Sequence, residues 1–202
     1  MSKVLLKYIP ESALPLVNVW YREYDFHLRI SKSRKSKFGD FRPAFQGKPN
    51  RISVNGDLNQ YHFLITLTHE IAHVACWSKY RAKVNPHGVE WKSIYSQMLK
   101  QVMAVVEFPE DVKKSLMKHL DRPKASSCSD PDLFKVLKRY NAPSNTIFLE
   151  ELELGEHFVL HETRVFSKGK KRRTRYECIE LKSQKVYLVS GHAEIERIAR
   201  NS

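Results

Sequence analysis

The sequence predicts an α+β protein: a mainly helical core with a small β-sheet, followed by a small C-terminal antiparallel β appendage. Three observations lead there. Apolar residues recur at spacings of three and four through most of residues 11–120, apolar and polar residues alternate from Thr146 onward, and a stretch rich in Pro, Ser and charge separates the two patterns. The expected organisation is a domain over residues 1–121, a linker with a short helix over 122–145, and a basic β-rich domain over 146–202.

Each element has its own signal. Residues 11–25 place Leu14, Val17, Trp20, Tyr21 and Tyr24 on one helical face. Residues 27–32 alternate as a half-buried strand does, residues 38–41 (FGDF) read as a turn, and residues 51–54 as a second strand closed by Asn55 and Gly56. Asp57 is placed to cap a long helix running to about Lys79, with Leu64, Leu67, Ile71, Val74 and Ala75 on its buried side. Pro86 and Gly88 break the helical pattern. It resumes over residues 89–106 through Trp91, Ile94, Tyr95, Met98 and Val102, and a last short helix opens at Pro109. A short helix is expected over 133–140. Beyond Thr146, three or four strands are expected, separated by residues 167–174 (SKGKKRRT) and 182–184.

Composition bounds the function. The chain has 202 residues, 42% of them hydrophobic, which suffices for a packed core and excludes wholesale disorder. No apolar run approaches the roughly 20 residues of a membrane span, and Lys7, Pro10 and Glu11 interrupt any signal-peptide core. Cys76, Cys128 and Cys178 lack metal-binding or disulfide spacing. A cytoplasmic protein with no membrane partner is expected, nucleoid-associated if the source is bacterial. The net charge of +13 is concentrated in residues 1–60 and 122–202. An excess of that size favours polyanions, DNA above all. Two runs supply candidate phosphate contacts: Lys32, Arg34, Lys35 and Lys37 in the first, and Lys168, Lys170, Lys171, Arg172, Arg173 and Arg175 in the second. Phe38, Phe41 and Phe45 beside the first run could stack on unpaired bases, although such aromatics more often anchor a core.

The chemistry lies in His69-Glu70-Ile71-Ala72-His73, an H-E-x-x-H pattern within an apolar helical segment. Residues four apart on a helix share a face, so both imidazoles can converge on one metal ion, while Glu70, one position along, can reach a water there without ligating. A catalytic site needs a third ligand. His87 is the best candidate, because it lies 14 residues after His73 in a Pro-His-Gly turn that can fold back. Gly88 would allow close backbone approach, and Trp91 would anchor the next helix. His62 lies seven residues before His69, about 10 Å along the helix axis, which is too far to share the ion, and it reads as an exposed or supporting residue. His119, His157, His161 and His192 read as ordinary surface histidines.

The segments THEIAHVACW and NPHGVEWKSI together resemble the SprT-like zinc metallopeptidase family, which includes bacterial SprT and the eukaryotic Spartan proteases. The family pattern is a helical H-E-x-x-H followed about 15 residues later by H-G-x-x-aromatic, here His87-Gly88-Val89-Glu90-Trp91. The resemblance covers roughly residues 10–120. It implies a zincin-like core, one Zn²⁺ per chain held by His69, His73 and His87, and Glu70 as catalytic base activating the metal-bound water. It also implies protein substrates near nucleic acid, including DNA-crosslinked proteins, and a link to transcription elongation. Many relatives carry a C-terminal zinc ribbon with paired cysteines, whereas residues 146–202 hold only Cys178. A competing reading is a nucleic-acid-binding or transcription-elongation-associated protein whose zinc site is not proteolytic.

Overall fold

The computed structural model describes residues 2–34, 37–121, 130–141, 146–161 and 163–198. The chain divides into two compact units, residues 1–142 and 143–202. The architecture is α+β, with six helices and two sheets among the described residues.

The first unit opens with α1 (Ser2–Leu5), a 3-10 turn (Glu11–Ala13) and α2 (Leu14–Tyr24). Strands β1 (Phe26–Ser31), β2 (Gly39–Arg42) and β3 (Asn50–Asn55) form a sheet of order β1-β3-β2. β1 runs parallel to β3 and β2 antiparallel to it, with Gly39 opposite Val54 and Arg42 opposite Arg51. Residues 39–41, expected in a turn, thus form an edge strand. The Gly-Asp pair carries a turn signal, but pairing with β3, some 15 residues on, outweighs that local preference.

The central helix α3 (Gln60–Tyr80) begins two residues later than Asp57 suggests. Asn59 is the cap, its side chain accepting from the backbone N–H of Tyr61 at 3.1 Å and of His62 at 3.0 Å. α3 is buried almost all round, from His62 through Ala72 and again over Val74–Cys76. A helix so enclosed forces any polar side chain on it to find a partner or a task. α4 (Val89–Val105) and α5 (Glu110–Asp121) complete the helical layer. α6 (Pro131–Lys138) falls where a linker was expected, yet Leu133 and Leu137 are fully buried in the first unit's core. Asn59 Nδ2 donates to the Leu137 carbonyl at 2.7 Å, tying α6 to the start of α3.

The second unit is a six-stranded antiparallel sheet, two strands more than expected at the upper end. It contains β4 (Thr146–Phe148), β5 (His157–Leu160), β6 (Arg164–Arg172), β7 (Arg175–Glu180), β8 (Val186–Ser190) and β9 (Glu194–Arg197), in the order β4-β9-β5-β6-β7-β8. β4 and β9 are too short to announce themselves by alternation. Leu149, Leu152, Phe158, Phe166, Cys178 and Ile195 form its core. The basic segment expected as a loop is largely strand: β6 runs to Arg172, leaving Arg173 and Thr174 at the turn. No helix among the described residues is long and apolar enough to cross a membrane.

Candidate metal centre

Three imidazoles meet in the first unit. His69 and His73 come from one face of α3, and His87 from the turn before α4. That turn closes with the Gly88 N–H donating to the Asn85 carbonyl at 2.9 Å, with Pro86 and His87 as its central residues. His87 carries φ +57°, as the third residue of a turn with proline at its second position often does. Gly88 has negative φ, so its role is steric: a Cβ there would sit 2.9 Å from the Asn85 carbonyl oxygen.

The three Nε2 atoms stand 3.1 Å (His69–His73), 3.0 Å (His73–His87) and 3.3 Å (His69–His87) apart. A tetrahedral ion with bonds of about 2.0–2.1 Å sets its nitrogen ligands about 3.3–3.4 Å apart, so the triangle fits one metal ion. Hydrogen bonding fits it less well. A neutral Nε2 is either donor or acceptor, so of three mutual neighbours at least two must be alike. All three imidazoles bind a proton less readily than usual, in the direction that ligation favours. Burial lowers the affinity of His69 for a proton far below normal, with the neighbouring His73, His87 and His119 adding to it. Burial and then His87 bring His73 down to about 3, and burial and then Lys92 lower His87.

Aromatic packing fixes these rings. Trp91, 1% exposed, lies 4.6 Å from the His69 ring, 5.0 Å from His73 and 4.7 Å from His87, and Tyr95 stacks beneath it at 4.9 Å. From the other side Phe41 lies parallel to His73 at 6.0 Å. Phe41 therefore serves the site, while Phe38 packs on His62 and Phe134. Phe45 is exposed.

Glu70 is 6% exposed and lines the same cleft, a cavity of about 620 Å³, as the three histidines. Burial, and then the Asp40 carboxylate, push the Glu70 carboxyl up to about 8, against the pull of Arg34 and Lys37. Asp40 stays ionised despite its own burial, because Lys37 at 2.6 Å and Arg42 at 3.1 Å hold it below the usual carboxylate range. Gly39 lies against Glu70: a Cβ there would come within 2.8 Å of its Cγ and Cδ. Gly39, Asp40, Phe41 and Tyr95 escape the sequence reading as site residues. Nothing local marks the first three, since β2 reaches α3 only through the folded sheet, and Tyr95 reads only as part of the apolar face of α4.

Other expectations need correction. His62 is 1% exposed, and burial lowers it to about 4. His119 is a buried residue whose Nδ1 lies 2.7 Å from the Asp130 carboxylate. His157 and His161 are exposed and His192 is half-buried. In the first basic run only Lys32 is a freely exposed cation among the described residues. Arg34 donates to Asn55 Oδ1 at 2.8 Å and Ser53 Oγ at 3.1 Å, Lys37 pairs with Asp40, and Lys35 lies outside the described residues. In the second run Lys168 is 5% exposed, its ammonium donating to the Leu152 and Glu150 carbonyls and lying 4.2 Å above the Tyr176 ring. It faces the interior because the strand continues through it. Lys170, Lys171, Arg172, Arg173 and Arg175 are exposed, with Arg172 also 2.6 Å from Glu177.

No curated protein and no solved structure gives a significant match to the chain. The SprT-like family model matches residues 17–114, the stretch that carries β1–β3, the whole of α3 and α4, and all three converging histidines. Over those residues the chain is similar to the SprT-like family, in agreement with the resemblance carried by its two motifs.

Proposed function

We propose that the protein is a zinc-dependent endopeptidase with a zincin-like core, acting on protein substrates near nucleic acid. The observation that carries the reading is the triangle of His69, His73 and His87 nitrogens in one cleft with the buried Glu70 carboxylate. A Zn²⁺ ion held by three histidines with an open position supplies an activated water and polarises a carbonyl. The chain's residues do the rest. Glu70 takes the proton from the attacking water and returns it to the leaving amide nitrogen. Trp91, Tyr95 and Phe41 fix the imidazoles, and Asp40 raises the basicity of Glu70. Among the described residues the outer edge of β2 is unpaired, so an extended peptide can add to it as a further strand beside the cleft.

The nucleic-acid part rests on the exposed cations of the β6–β7 hairpin. The deciding comparison is wild type against Glu70→Gln, with and without DNA, alongside metal analysis. Glu70→Gln should keep about one zinc per chain and lose hydrolysis by roughly 10²–10⁴-fold. Undiminished turnover by the variant would remove Glu70 from the reaction. Zinc and DNA binding with no cleavage of any offered protein would replace the peptidase reading with a binding module.

A further inference from the structure

β2 and α3 run the same way past each other. Phe38 packs on His62 at 4.6 Å, Gly39 lies against Glu70, and Phe41 lies over His73. Pro43, just after β2, and Trp77 and Arg81, at the end of α3, line the same cleft. Arg81 follows the last residue of α3 and carries φ +54° and ψ −140°, a conformation that a side chain rarely adopts and that glycine fills at no cost. Its N–H donates to the Trp77 carbonyl.

Among the residues that line the cleft the carboxylates are those of Asp40 and Glu70, and Glu90 of α4 acts on Cys76 from outside that lining. Asp40 is neutralised by Lys37 and Arg42, and Glu70 lies deep in the cleft. Arg81 is exposed and has no acidic partner within 4 Å among the described residues. We propose that Arg81 is a specificity-determining residue that favours an acidic side chain of a bound peptide. This rests on the peptidase reading. The eight residues from His73 to Arg81 span about 12 Å of helix axis. An extended peptide rises about 3.3 Å per residue, so the acidic side chain belongs three or four residues from the scissile bond, on one side of it only.

The test is a set of unstructured peptides that differ only in placing Glu, Gln or Lys at each position up to five residues either side of the cleaved bond. Wild type should prefer Glu over Gln by about three- to fivefold in kcat/KM at the third or fourth position of one side, as expected for a solvent-exposed ion pair. Arg81→Gln should bring that ratio to one, Arg81→Lys should restore part of it, and Arg81→Glu should invert it toward Lys, which loss of structure could not do. A flat profile in wild type, or a preference that survives Arg81→Gln, would overturn the proposal. So would a profile unchanged in Arg81→Gln while affinity for a single-stranded oligonucleotide falls, since Arg81 would then contact phosphate. Failure of wild type to cleave any peptide would sink the peptidase reading instead. Anisotropy titrations of the same peptides on Glu70→Gln protein would still read the Arg81 preference, and equal affinities there would overturn it.

Discussion

Gly39 shows how little room surrounds the Glu70 carboxylate. Adding one methyl group would drive a Cβ to 2.8 Å from Glu70 Cγ and Cδ, and neither the strand nor the central helix can yield without losing packing. Gly39→Ala should therefore keep zinc at about one per chain while hydrolysis falls about 10²-fold, the cost of misplacing a base by on the order of 1 Å. Metal titration and peptide turnover on the same protein check this, and unchanged turnover would mean that Glu70 has space to move. The same scale explains Trp91. One indole packs against all three imidazoles, so their orientation depends on an aromatic residue outside the triangle.

At the scale of elements, a few charged groups tie strands together. Arg34 clamps the turn before β2 to β3 through Asn55, Ser53 and the Phe38 carbonyl at 3.4 Å. In the second unit Arg164 Nε donates to Glu180 at 2.6 Å, joining β6 to the end of β7. That hydrogen bond, and then one from Ser183, hold the Glu180 carboxyl at about 2, below its ordinary value. A carboxylate that binds protons less readily when folded stabilises the fold at pH above its unfolded value. That contribution is lost as pH falls toward 2. Melting temperatures of wild type and Glu180→Gln should accordingly converge as pH drops from 5 to 2.5, with wild type higher at pH 5. Parallel curves across that range would show that the ion pair adds nothing.

The whole molecule keeps its candidate chemistry and its exposed cationic hairpin in different units, residues 1–142 and 143–202. If the hairpin is the phosphate-binding element, replacing Lys170, Lys171, Arg172 and Arg173 with Ser should flatten the salt dependence of DNA binding. The slope should fall by roughly 0.7–0.9 per lost contact. Hydrolysis of a free peptide would then serve as the control for the first unit. An unchanged slope would remove the hairpin from the footprint.

How much of this was legible in the chain follows from the range of each interaction. The sequence by itself determined the long helices, the α+β class and the convergence of His69, His73 and His87. Helical periodicity, a four-residue spacing and a Pro-His-Gly turn are all local, and they survive whatever the rest of the chain does. It misjudged residues 39–41, because a strand on a sheet edge is decided by its partner and not by its own Gly-Asp pair. It placed Lys168 on the surface and His119 too, because burial is decided by neighbours distant in sequence, the Leu152 and Glu150 carbonyls for the one and Asp130 for the other. Only the tertiary structure set Gly39, Asp40 and Phe41 beside Glu70 and His73, since those contacts bridge some 30 residues and exist only once β2 has paired with β3 and the sheet has packed on α3.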